Sequence, residues 1–184
     1  MFQISVLRIR NIRVWTGVAL AVGIFALSSA RAAKQEVFTA KLPGDNEVPP
    51  INSAGSAMFQ MEIDTSTATP TIHFTVTYAN VSTSPTLSHL HFAPTGVAGG
   101  VMIFLCGGGG QAPCPTTTSG SFSGTITPAN VTGPTAQGID AGDLVSALEA
   151  VQDGDAYANL HTTKFPAGEI RGQVHRGNRD RDKD

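Results

Sequence analysis

The chain has 184 residues, 41% of them hydrophobic and 14% charged, with 12 basic and 14 acidic residues and a net charge of −2. Once Arg8, Arg10, Arg13 and Arg31 are removed with the N-terminal leader described next, eight basic residues face fourteen acidic ones, a net charge of −6. That balance excludes nucleic acid as a partner, because phosphate binding needs a clustered basic surface.

Residues 1–32 read as a secretory signal peptide. A basic stretch to Arg13 precedes an uncharged apolar run, 14–27, and Ala30-Arg-Ala32 has the small-x-small pattern of a cleavage site. The rival reading, a single membrane anchor, is disfavoured by an apolar run short of the span's about 20 residues. No later stretch is apolar enough to cross a bilayer, so the exported chain carries no integral membrane segment and is expected in the periplasm or outside the cell. About 150 residues remain, enough for one domain with a sizeable core. Residues 33–176 form that domain, and the charged end, 177–184, reads as a disordered tail.

The domain is predicted to be all-β. Strands fall at 37–42, 56–63, 71–79, 87–92, 101–105, 121–127, 157–161 and 169–175, separated by Pro, Gly, Ser and Thr clusters. Between 71 and 79 the alternation is nearly complete. Ile72, Phe74, Val76 and Tyr78 face in, while His73, Thr75 and Thr77 face out. The spacing of Leu144, Leu148 and Val151 predicts one helix over 140–152, with Asp140 as N-cap, Asp143 in its first turn and Gly154 as its stop. Short antiparallel strands with one short helix define a β-sandwich or a Greek-key barrel.

Cys106 and Cys114 flank the run GGGGQAP, a loop with little to order it. In an oxidising compartment they are expected to form a disulfide. The rival is a soft metal site built on both thiolates. No nucleophile elbow and no phosphate-binding loop is present: residues 120–124 have Phe122 where a serine is needed, and the glycines at 107–110 lack the lysine of a P-loop.

The histidines carry the most information. His89 and His91 stand two apart in a strand and so share a face. Tyr157, Asn159 and His161 share a face of another strand. If the strands are neighbours, His89, His91 and His161 converge. Neutral imidazoles suit copper, first by affinity order, and zinc second. His73 and His175 are outlying candidates for a fourth ligand. The competing reading is structural: the imidazoles hydrogen-bond the backbone of the glycine-rich loop, with Asn159 and Tyr157 completing a polar network. Glu169 and Arg171, also two apart, read as an ion pair pinning the last strand, or as an acid and a cation flanking the histidines.

Three blocks together resemble the CHRD domain, the module repeated in chordin and found singly in secreted bacterial proteins. Residues 42–50, LPGDNEVPP, with 55–59, GSAMF, resemble its opening signature. Residues 89–101, HLHFAPTGVAGGV, resemble its His-Ile-His block. Residues 157–173, YANLHTTKFPAGEIRGQ, resemble its closing block. The chain departs from the pattern at Ala93, where the family often has Gly, and at Gly100, where it often has Pro. The resemblance implies a secreted β-rich module, and in chordin such repeats belong to a protein that binds growth factors. It therefore favours a non-enzymatic binding or structural module whose partner is a protein or surface ligand. The His-x-His strand also looks like part of copper-zinc superoxide dismutase, without that protein's zinc-loop histidines. The alternative function is accordingly a copper-dependent oxidoreductase or a copper carrier.

Overall fold

A computed structural model describes residues 35–65 and 70–177. The predicted signal peptide and, apart from Gly177, the predicted tail lie outside the described residues. Nine strands and one α-helix are present among those described. They are β1 (Gln35–Pro43), β2 (Ser56–Asp64), β3 (Thr71–Ala79), β4 (Pro85–Phe92), β5 (Gly100–Cys106), β6 (Gly120–Ile126), α1 (Leu144–Asp153), β7 (Ala156–Thr162), β8 (Ile170–Gln173) and β9 (His175–Arg176).

Two open antiparallel sheets form a sandwich, with strand orders β6-β3-β2-β1-β9 and β5-β4-β7-β8. The barrel alternative is thereby set aside. The alternation in β2 and β3 turns Phe59, Met61, Ile63, Ile72, Phe74 and Val76 inward. They meet Leu90, Met102, Leu160 and Ile170 from the second sheet in one apolar core. Burial of such side chains, worth about 1.5–3 kcal/mol each, is the main force holding the layers together.

Two elements differ from expectation. The helix starts at Leu144, not at Asp140. Gly142 takes a left-handed φ of 85°, which interrupts helical propagation. Asp143 is the cap instead, accepting from the Ser146 backbone N–H at 3.1 Å and the Ser146 hydroxyl at 2.6 Å. The helix ends as expected at Gly154, φ 84°. The last predicted strand, 169–175, is divided. Its first part pairs with β7 in one sheet and its second with β1 in the other. The strand changes sheets where it passes close to β1: a Cβ at Gly172 would collide with the Lys41 carbonyl, so the crossing requires glycine.

Cys106 and Cys114 are joined, with Cα atoms 5.0 Å apart. The loop they close is more ordered than its composition suggests. Gly107 N–H donates to Ala112 O and Gln111 N–H to Gly108 O, each at 2.9 Å. Gly108 and Gly109 lie against the Phe104 ring, where a Cβ would clash. Cys114→Ser will lower unfolding free energy by about 2–3 kcal/mol, the loop-closure value for so short a ring. Urea titration under non-reducing conditions reads this directly, and an unchanged midpoint would show that the bridge contributes nothing.

Candidate metal centre

Strands β4 and β7 are neighbours, and their register pairs His89 with Asn159 and His91 with Tyr157. Leu87 pairs with His161. Directly opposed residues lie on one face, so the period-two pattern brings His89, His91, Tyr157, Asn159 and His161 together. Their face is the one turned away from the core, which holds Leu90, Ala158 and Leu160. It is nevertheless covered. His89 is 4% exposed, and His91 and His161 are each 8% exposed. This explains why every residue of β7 is buried: one side meets the apolar core and the other lies beneath loops.

The covering loops set the proton on two rings. His91 Nδ1–H donates to Gly99 O at 3.0 Å, and His161 Nδ1–H donates to Pro166 O at 2.9 Å. A carbonyl can only accept, so the Nε2 atoms of both rings carry lone pairs. His89 Nδ1 lies 3.2 Å from His161 Nε2. One nitrogen from each ring can be chosen so that all three lie within 4.8 Å of one another. His91 Nε2 and His89 Nε2 are buried without a hydrogen-bond partner. Phe104 meets His89 edge-on at 4.5 Å, and Tyr157 stacks on His91 at 4.6 Å.

The rings are held neutral. Burial pushes His89 down to about 3, and His161 and His91 add to the effect. Burial likewise lowers His91 to about 4, against the bond to Gly99 O, with His161 and Arg171 contributing further. Burial also lowers His161, opposed by the Pro166 carbonyl. Neutral imidazole is the form that binds a metal ion.

Glu169 and Arg171 do not meet as a pair. Strand β8 begins only at Ile170, after Gly168 at φ 130°, so the alternation does not reach back to Glu169. Glu169 turns to Ser53, Ser82 and Thr162. Arg171, the register partner of Asn159, donates to Val97 O at 2.7 Å and lies over Tyr157 at 3.6 Å. His73 on β3 contacts Thr125, and His175 is exposed on β9, so neither joins the cluster.

Glu47 is the residue that sequence reasoning left without a role. It is buried and accepts from Asn159 Nδ2 at 2.6 Å. Burial raises it to about 7, against the opposing effects of Arg171, Asn159 and the Val48 N–H. The one available pointer was its place in the opening block, 42–50.

The family model of the CHRD domain matches residues 38–174. The chain belongs to the CHRD domain family, and the matched stretch takes in β4, β7 and the loop bearing Glu47. No curated protein and no solved structure matches it. Among the described residues no helix is long and apolar enough to cross a membrane.

Proposed function

We propose that this CHRD domain is an exported binding module built around a three-histidine metal centre of His89, His91 and His161, with copper the preferred ion and zinc second. The observation that carries this is the convergence of three buried neutral imidazoles, two with their Nδ1 protons fixed by backbone carbonyls. Such outer partners are what orient ligating histidines in metal sites. A purely structural network would satisfy its buried polar atoms, and here two imidazole nitrogens are left without partners. The affinity order of divalent ions favours copper at nitrogen sites. The depth of the rings favours holding an ion over turning over a substrate at it.

A groove of about 760 Å³ beside the centre supports the binding role. It is lined by Lys41, Glu47, Thr95, Arg171, Gln173 and His175, and so offers groups of both signs. A protein or surface ligand is the partner class such a groove suits. Export by the signal peptide at 1–32 places the module in the periplasm or outside the cell.

Titration of protein purified without tag or chelator, beside His89→Ala/His161→Ala, tests the centre. The wild type will take up about one equivalent of copper or zinc. The variant will lose more than the about 10–100-fold in affinity that removing an outer partner costs. No specific uptake by the wild type, together with lower stability of the variant, would make the histidines a structural brace.

A further inference from the structure

Arg171 is a buried cation without an anion. It is 3% exposed, and arginine is almost never so buried unless it is paired. Arg176 meets Glu36 at 3.3 Å, but among the described residues no carboxylate forms such a pair with Arg171. Its guanidinium rests on the Tyr157 ring at 3.6 Å and gives one hydrogen bond, from Nη2 to Val97 O at 2.7 Å. Tyr157 is itself fixed, its hydroxyl accepting from the Gly99 N–H at 3.2 Å. The guanidinium is thus held on one face and at one nitrogen, and most of its five N–H donors are unspent.

Those donors open onto the groove that Arg171 lines. Among the described residues, the buried side-chain atoms left without a partner are His89 Nε2, His91 Nε2 and Asn159 Oδ1. The Arg171 nitrogens are not with them, so solvent in the groove reaches the unspent ones. Glu47 lines the same groove but does not neutralise the cation. Burial outweighs the pull of Arg171 and holds the Glu47 carboxyl up at about 7, and its Oε1 already accepts from Asn159. Lys41 adds a second, exposed cation to the lining, against the exposed Asp45. Arg171, Gln173 and His175 line the groove at every second residue, the repeat of an extended strand.

We propose that the groove takes an extended acidic segment of a partner protein, with one side-chain carboxylate received by the Arg171 guanidinium. A planar fork matches a carboxylate with two parallel hydrogen bonds. Because this fork is already held, little ordering is left to oppose binding. A phosphate suits the fork equally in shape, but its second charge would stand beside Asp45 and Glu47, so the singly charged group is favoured. The inference rests on the binding role read for this groove above and adds the chemistry of the partner. It does not depend on the metal.

NMR titration of the 15N-labelled, metal-free protein with end-blocked peptides tests it. A peptide with one central glutamate will shift the Arg171 Nε–H and the amides of Thr95, Gly96 and Gln173. Replacing that glutamate by glutamine in the peptide will weaken binding about 10–100-fold, the worth of hydrogen bonding to a charged group. Arg171→Lys, which keeps the charge and loses the fork, will also weaken it. Equal binding of the two peptides, or Arg171→Lys at wild-type affinity, overturns this inference and leaves a binding groove standing. Tighter binding of a phosphoserine peptide, or of one whose only carboxylate is a free C-terminus, does the same. No shift at the groove with any peptide overturns both, and leaves the metal titration to decide the centre. If Arg171→Lys does not fold, the peptide pair alone decides.

Discussion

Glu169→Ala will destabilise the protein by about 3 kcal/mol, lowering Tm by about 6–12 °C for a domain of this size. Glu169 is 0% exposed. Its Oε1 accepts from the Ser53 hydroxyl at 2.6 Å, the Ser82 N–H at 2.8 Å and the Ser82 hydroxyl at 2.9 Å, and its Oε2 from the Thr162 hydroxyl at 2.6 Å. It therefore ties the two segments that hold Ser53 and Ser82 to the end of β7. Alanine leaves these donors facing an empty site. A buried donor left unsatisfied costs about 1–3 kcal/mol. Thr162, fully buried, pays this most directly, while Ser82 is exposed and can turn to water. Burial opposes the charge on Glu169, but the hydrogen bonds from Ser53, Thr162 and Ser82 outweigh it and hold its pKa below the ordinary value. The contribution of this charge is thus complete above the usual carboxylate range and is lost as pH falls through the folded value. Glu169→Gln, which keeps one acceptor oxygen, will cost less than alanine and remove that acid-dependent part. A Tm within 2 °C of wild type for Glu169→Ala would show that the freed hydroxyls find other acceptors at little cost.

Stability will climb between about pH 4 and pH 6.5 and level off near neutrality. The folded His89 and His91 titrate at about 3 and about 4, whereas in the unfolded chain each titrates near about 6.5. Between those values the unfolded state binds more protons, so stability rises with pH and is lost as pH falls. Each ring contributes up to about 1.4 kcal/mol per pH unit in that window. His161, lowered in the same direction, adds to it. Glu47 acts with the opposite sign. Its folded value is raised to about 7, so its contribution is present below the unfolded value, near about 4.3, and is lost as pH rises through the folded one. One carboxyl offsets part of what three imidazoles supply, and the net change is several kcal/mol across the window. Urea titrations of metal-free protein at half-unit steps will show it. In His89→Ala/His161→Ala the profile will flatten. A wild-type profile that is level from pH 4.5 to 7 would mean that the rings are charged in the folded state.

What could be read from the chain depended on how local the cause was. Strand β3 was predicted to the residue, because its alternation runs unbroken from Thr71 to Ala79 and depends on one buried face alone. The meeting of His89, His91 and His161 was legible for the same reason: parity fixes the face, and pairing of β4 with β7 does the rest. The start of α1 was misplaced because Asp140 and Asp143 are equally good caps on composition, and only the left-handed Gly142 between them decides. The ion pair read between Glu169 and Arg171 assumed that the strand already ran at Glu169, whereas β8 begins at Ile170 and Glu169 turns to Ser53, Ser82 and Thr162. Glu47 was illegible because its partner Asn159 lies 112 residues away. Nothing near it in the chain announces a buried carboxyl. The cover over the histidines was also out of reach. Phe104 reads as an ordinary strand residue, and only the pairing of β5 with β4 sets its ring edge-on against His89.

The most direct test of the metal centre is X-ray absorption of the protein loaded with one equivalent of copper or zinc. A first shell containing three imidazole nitrogens, at about 2.0–2.1 Å when zinc is the ion, lost in His89→Ala/His161→Ala, is the predicted result. A shell of oxygen atoms only, or a spectrum unchanged by the double substitution, would contradict a centre built on these three histidines.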